Sequence, residues 1–226
     1  MTNPHPFASW PRARRWCDVV CAVAGLLILW PVLAMLALIV LLSDGPPILF
    51  CQTRVGKGGR PFRIWKFRTM RRSGGGSKVT ASGDRRVTPT GAVLRKLKLD
   101  ELPQLFNVLK GDMSIIGPRP EVPEYVNFGS PIWQAVLQVR PGITDPASVL
   151  FRDEEILLAA GGDVESIYLQ RVLPEKLIVN LTYLNTRSVG NDLKLLWMTL
   201  CCCLTPGRFR ERPIPKTFPM GVQSGR

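Results

Sequence analysis

From Trp16 to Leu42 the chain carries one charge, Asp18, and one proline, Pro31, in an otherwise apolar run. The run is long enough to cross a bilayer as a helix of roughly twenty residues or more. It lacks the small-residue cleavage site of a removed signal peptide, so it is expected to stay in the mature protein. Two features argue against a simple crossing. Trp30-Pro31 falls near the middle, where proline removes a backbone donor and bends a helix. Arg12, Arg14 and Arg15 precede the run, and Arg54, Lys57, Arg60 and Arg63 follow it. That distribution assigns neither end to the far side of the membrane. A membrane helix over residues 16–43, broken at Trp30-Pro31 and both entering and leaving on the cytoplasmic face, satisfies both features. An ordinary kinked transmembrane helix is the alternative.

At 226 residues there is room for one domain besides this segment. Residues 1–15 read as a disordered basic tail, 44–204 as a cytoplasmic domain with interfacial helices, and 205–226 as a second disordered tail, rich in proline and arginine. A formal charge of +13 calls for anionic partners. With 46% apolar residues, a membrane surface suits the chain better than nucleic acid does, and no nucleic-acid partner is expected. The single histidine, His5, lies in the first tail, which sets aside histidine metal sites and Ser-His-Asp or Cys-His chemistry. Cys17, Cys21, Cys51 and Cys201 to Cys203 show no paired CxxC spacing and read as reduced apolar fillers in a cytosol-facing protein.

Beyond the membrane segment, Ile48–Val55 and Pro61–Arg68 read as a hairpin around Gly56 to Arg60. Alternation puts Lys66 and Arg68 on one face of its second strand. No acid occurs between Gly45 and Gly83, whereas nine basic residues do, from Arg54 to Lys78; most of them suit a solvated or headgroup-facing surface. Residues 72–89 read as a mobile Ser/Gly-rich loop near the site. Thr90 is placed to cap a helix from Gly91 to Leu99. Next, Leu102, Leu105, Phe106 and Leu109 recur at helical spacing, with Asp100 as N-cap, Pro103 in the first turn and Gly111 as the stop. Gly117-Pro118-Arg119-Pro120 then forms a rigid turn presenting one guanidinium. A carboxylate at the positive end of a helix stays ionised and points outward. Asp100 and Glu101, set among Lys96, Lys98, Lys110 and Arg119, therefore suit either plain capping or a site for a metal-bound phosphate ester. Trp133 reads as interfacial. The last third reads as three helices, started by Asp163, by Pro174-Glu175 and by Asn191 or Asp192. The stripe Leu193, Leu196, Trp197 and Leu200 is read mainly as core, with an in-plane membrane face as the alternative. The fold class is α+β, membrane-associated and mostly helical with a small β-hairpin.

Leu99-Asp100-Glu101-Leu102-Pro103-Gln104-Leu105, followed by Asn107-Val108-Leu109, Gly111-Asp112-Met113-Ser114 and Gly117-Pro118-Arg119-Pro120, resembles the bacterial sugar transferases, the monotopic phosphoglycosyl transferases. Lys66-Phe67-Arg68-Thr69-Met70 matches a second motif of that family, and the resemblance runs from about Trp16 to about Leu204. It implies a re-entrant membrane helix broken at proline, in a protein on the cytoplasmic face of the bacterial inner membrane. It also implies transfer of a phosphosugar from a nucleotide (UDP) sugar to polyprenol (undecaprenyl) phosphate, with the product passed to downstream glycosyltransferases. By position, Asp100 is the nucleophile that holds the phosphosugar covalently, and Glu101 supports it through the metal or through proton handling. Neutralising the diphosphate is assigned to Mg²⁺ on Asp100 and Glu101 and to Lys66, Arg68, Arg95 and Arg119, with Gly117, Pro118 and Arg140 completing the substrate contacts. The chain departs from the family pattern after Arg140-Pro141-Gly142-Ile143-Thr144. Asp145 stands where many members carry glycine, and Asp153-Glu154-Glu155 replaces a Gln-Val-Asn-Gly-Arg run, which leaves the identity of the sugar open. Two rivals predict otherwise. A non-catalytic scaffold binding anionic lipid makes Asp100→Asn harmless, and a nucleic-acid binder gives steeply salt-dependent binding.

Overall fold

The computed structural model describes residues 12–71, 79–152, 154–159, 163–205, 217–218 and 222–223. The remaining residues of both tails and of the Ser/Gly-rich loop, Asp153 and residues 160–162 lie outside the described residues. Helix α1, Arg12–Asp44, is a single element of 33 residues with Pro31 inside it. The helix continues through Trp30-Pro31 and does not end there. Proline removes one donor but has a helical φ of its own, so a long apolar helix can carry it.

Most of α1 faces outward with its apolar side chains bare, among them Trp16, Leu27, Ile28, Trp30, Met35 and Leu42. Its inner edge rests on the folded domain along nearly its whole length. At the start, the Arg15 guanidinium donates to the carbonyls of Val108 (2.6 Å) and Leu109 (2.9 Å), the unsatisfied end of another helix. One turn later, the buried Asp18 carboxylate accepts from Ser114 Oγ and the Ile115 N–H, both at 2.9 Å. This accounts for the single charge in the apolar run: it ties the helix to the domain. At the far end, Leu36 and Val40 pack with Phe67 and Leu94, and Asp44 accepts from Thr88 Oγ1 at 3.0 Å.

Strands β1 (Leu49–Val55) and β2 (Pro61–Phe67) form the expected antiparallel hairpin, in register from Leu49 opposite Phe67 to Val55 opposite Pro61. Helix α2 spans Pro89–Lys96 and is capped by Thr88, whose hydroxyl accepts from the Gly91 N–H, rather than by Thr90. Pro89 fits the first helical position, which fixes the cap one residue before it. Helix α3, Gln104–Lys110, ends at Gly111 with φ +93, the left-handed cap expected of that glycine.

Strand β3, Ser114–Ile116, pairs in parallel with β4, Gly142–Thr144, and helix α4, Pro131–Val136, lies in the connection between them. The turn after β3 and the turn before β4 touch backbone to backbone. Gly142 N–H donates to the Pro118 carbonyl at 3.0 Å and Gly117 N–H to the Thr144 carbonyl at 3.1 Å. A Cβ on Gly142 would stand 2.1 Å from the Gly117 nitrogen, and one on Gly117 2.4 Å from the Arg140 carbonyl oxygen. Gly142→Ala is therefore expected to destabilise the protein by at least about 2 kcal/mol, as overpacking against backbone does, read as a lower midpoint in chemical denaturation.

Helices α5 (Pro146–Leu150), α6 (Glu154–Ala159) and α7 (Val164–Ile167) follow, the last capped by Asp163 as expected. A π-helical turn, Tyr168–Val172, joins α7 to α8, Leu173–Asn185. Pro174 consequently lies in a continuing helical path and does not open a new one, the widened turn ahead of it relieving the lost donor. Trp133 is buried in the main core with Tyr125, Phe151, Tyr168 and Leu177, so it is not interfacial. Helix α9, Val189–Leu204, is capped by Ser188. Its stripe corrects the core reading for three of its four residues: Leu196 packs against the cluster of Ile116, Tyr183 and Leu195, but Leu193 (63% exposed), Trp197 (66%) and Leu200, with Val189 and Leu204, face away from the domain. A short pairing of β5 (Thr217–Phe218) with β6 (Val222–Gln223) completes the described elements.

Candidate active site

Asp100 and Glu101 do not start α3. They lie in a 3₁₀ turn, Leu99–Glu101, entered through Lys98 at φ +57, while α3 begins three residues beyond Glu101. Leu99 and Leu102 pack into the cluster of Leu36, Val40, Phe67 and Leu94, and this draws the acidic pair inward between them. Both carboxylates are buried, so Asp100 neither caps the helix nor points to solvent.

Glu101 is clamped. Its Oε1 accepts from Lys66 Nζ at 3.0 Å and from one Arg119 nitrogen at 2.5 Å, and its Oε2 accepts from the other at 3.2 Å. This fork is the strong, geometrically specific form of a charged hydrogen bond. Burial alone would raise the Glu101 carboxyl; Arg119 and Lys66 outweigh it and hold the group well below the usual range. Burial pushes the Lys66 ammonium down to about 8, against the pull of Glu101. Asp100 differs. Burial raises its carboxyl, Lys66 opposes that, and no hydrogen bond reaches its buried Oδ1. One acid is locked as a carboxylate with both oxygens engaged, and the other holds an oxygen in reserve.

Of the residues singled out from the sequence, the structure brings Lys66, Asp100, Glu101 and Arg119 together. Arg95 stands at the margin, paired with Glu155. Arg68 points elsewhere: its guanidinium donates to the carbonyls of Asp44, Gly45 (2.6 Å) and Pro46 (2.8 Å), fastening the end of α1. It follows the last strand residue, where alternation no longer governs direction. Arg140 Nε donates to the Gly111 carbonyl at 2.9 Å, and Gly117 and Pro118 serve the backbone contact with β4.

Sequence reasoning missed the support behind Arg119. The fully buried Asp145 accepts from the Arg119 N–H (3.0 Å), the Ser148 N–H (2.6 Å) and Asn180 Nδ2 (2.7 Å). The residue noted as a departure thus holds the turn that aims the guanidinium. Below it, Tyr168 donates to Glu121 at 2.5 Å and Arg54 to the Pro120 carbonyl at 3.1 Å. Both acids follow recognised motifs directly in sequence, which was the available signal.

Magnesium fits this pair through one residue only. The unpartnered Oδ1 of Asp100 is a free hard oxygen, whereas both Glu101 oxygens are taken by cations. No group of three or more His, Cys, Asp or Glu able to hold a metal occurs among the described residues. Mg²⁺ is commonly bound by one or two carboxylates together with substrate phosphates.

Residues 10–206 match the family described as bacterial sugar transferases. The chain belongs to that family. It is therefore a phosphoglycosyl transferase, which the non-catalytic scaffold reading does not fit. It is 38% identical over 208 residues to a UDP-glucose:undecaprenyl-phosphate glucose-1-phosphate transferase of Caulobacter vibrioides, covering 90% of this chain and 74% of the relative. It is 44% identical over 142 residues to a UDP-N-acetylgalactosamine-undecaprenyl-phosphate N-acetylgalactosaminephosphotransferase of Aeromonas hydrophila, covering 61% of this chain and 34% of the relative. To an undecaprenyl-phosphate glucose phosphotransferase of Komagataeibacter xylinus it is 33% identical over 205 residues, 86% of this chain and 36% of the relative. The chain thus spans about a third of the length of the last two.

Proposed function

We propose that this protein transfers a sugar 1-phosphate from a UDP-sugar to undecaprenyl phosphate, through a phosphosugar held covalently on Asp100, and so begins a membrane-linked polysaccharide. The observation that carries this reading is the unpartnered buried oxygen of Asp100 beside a Glu101 locked by Arg119 and Lys66. An Asp100 oxygen attacks the sugar-linked phosphorus; the bond from that phosphorus to the bridging oxygen breaks, and uridine monophosphate leaves with the bridging oxygen. A phosphate oxygen of the lipid then attacks the same phosphorus and releases the Asp100 carboxylate. Atoms balance with no other reactant, and one site serves both displacements. Mg²⁺ would be held by Asp100, and when bound it supplies the positive charge that the donor's diphosphate requires. Lys66 and Arg119 keep Glu101 from adding an unbalanced negative charge to the same pocket.

The test is to incubate the full chain in membranes with a panel of UDP-sugars and undecaprenyl phosphate. Uridine monophosphate should be released with at least one sugar and cease on addition of a chelator. No release with any of them would overturn the reading.

The membrane arrangement belongs to the same proposal: both ends of α1 lie on the cytoplasmic face of the inner membrane. What supports this is that Arg15 and Asp18 at one end and Val40 and Asp44 at the other rest on the same domain. A helix of 33 residues is about 50 Å long, against a hydrocarbon core of about 30 Å. A straight crossing would carry one of those contacts through the bilayer. In a background without the native cysteines, Ser9→Cys and Ser43→Cys should both label from the cytoplasmic side; labelling from opposite sides would exclude the re-entrant arrangement.

A further inference from the structure

A cavity of about 210 Å³ opens beside Glu101, between the acidic turn, β4, α5 and α9. It is smaller than the roughly 300–1,000 Å³ that holds a whole drug-sized ligand, so it suits a segment of one. Leu102, Leu105, Ile143 and Val149 form apolar wall, and Cys202 and Cys203 of α9 complete it. Thr199 on the same helix face is held to Thr144 of β4 by a hydroxyl hydrogen bond of 2.7 Å. Three cations border the space: Arg119, Lys98 and Arg152. Arg119 is committed to Glu101. Arg152 is oriented by the Cys202 carbonyl and, at 3.3 Å, by the Lys96 carbonyl, and among the described residues it meets no carboxylate. Lys98 makes no ion pair among the described residues either. The same α9 presents its bare Leu193, Trp197 and Leu200 on its outer side, so one helix separates the cavity from the surface that suits lipid.

Hydrocarbon walls beside two cations, Arg152 with no carboxylate partner among the described residues and Lys98 near the acidic pair without a direct ion pair to it, fit an amphiphile with a phosphate head and an apolar chain. They fit a nucleoside or a sugar poorly, since those would bury hydroxyls against leucine and isoleucine. We propose that this cavity receives the first isoprene units of the prenyl phosphate acceptor, with its phosphate drawn between Lys98 and Arg152 and its chain lying against Cys203. The assignment rests on the function proposed above, and it places the acceptor phosphate on the Glu101 side of the acidic pair.

Cys203 supplies the readout. In the full-length protein, an uncharged maleimide alkylates Cys203, followed by mass mapping, with farnesyl phosphate as the probe and no UDP-sugar present. Saturating farnesyl phosphate should slow the reaction at Cys203 at least fivefold, and farnesol, which lacks the phosphate, should not match it. In Arg152→Ala, the farnesyl phosphate concentration for half-protection should rise at least tenfold. An alkylation rate indifferent to farnesyl phosphate, or slowed equally by farnesol, would overturn the proposal, as would unchanged half-protection in Arg152→Ala. Because no donor takes part, failure here is distinct from failure to release uridine monophosphate, which would strike the function itself.

Discussion

Asp100→Asn is expected to abolish the phosphosugar adduct that the wild-type protein forms with donor alone, and to lower turnover by at least about a thousandfold. Asparagine has nearly the same shape but offers no anionic oxygen. The fold should tolerate the change well. The Asp100 carboxyl is raised because burial penalises its charge. A group whose folded value lies above its unfolded value contributes stability that is fully present below the unfolded value and lost as pH rises through the folded one. Burial thus makes the charge of Asp100 a cost to the fold, and a neutral amide forfeits nothing on that count. Intact-protein mass spectrometry after mixing with donor, beside a thermal melt, reads both halves. A variant that turned over at the wild-type rate, with no adduct in either protein, would return Asp100 to a structural role.

That distinction between the two acids was not legible in the sequence. Helical spacing of Leu102, Leu105, Phe106 and Leu109 made Asp100 look like a cap, because a cap and a buried 3₁₀ turn precede a helix equally well in one dimension. What separates them is tertiary: Leu99 and Leu102 enter the cluster under α1 and take the pair inward. Local signals fared better wherever backbone geometry alone decides. Gly111 ends α3, Asp163 caps α7, and the hairpin turns where its glycines stand. Arg68 shows the opposite case. Its charge suggests phosphate, but the carbonyls of Asp44, Gly45 and Pro46 take up its guanidinium, which only the folded chain shows. On α9, spacing marked an apolar stripe without telling core from lipid; the domain's own packing leaves that face uncovered. The membrane segment was plain as a run of residues, yet the helical continuity through Pro31 and the anchoring of Asp18 to β3 depend on contacts far along the chain.

Arg119→Ala is expected to lower kcat/KM by about a hundredfold to a thousandfold, the loss seen when one preorganised electrostatic partner is removed. The guanidinium engages both Glu101 oxygens and is itself aimed by Asp145 through its backbone N–H. Without it, Glu101 keeps only Lys66, whose own ammonium is already depressed by burial. Arg119→Lys should rescue little, since an ammonium cannot reproduce the two-pronged contact. The pH dependence separates this role from a merely structural one. Glu101 is held well below its ordinary value, so its contribution is present above the unfolded carboxylate value and lost only as pH falls through the lower folded one. Removing Arg119 takes away the largest of the effects that lower it, so the acid limb of the pH–rate profile should move to higher pH. A substitution that only loosened the turn would reduce the rate at every pH alike. An acid limb left in place in Arg119→Ala, with kinetics unchanged, would mean that Lys66 alone suffices to keep Glu101 ionised and that Arg119 is dispensable to the site.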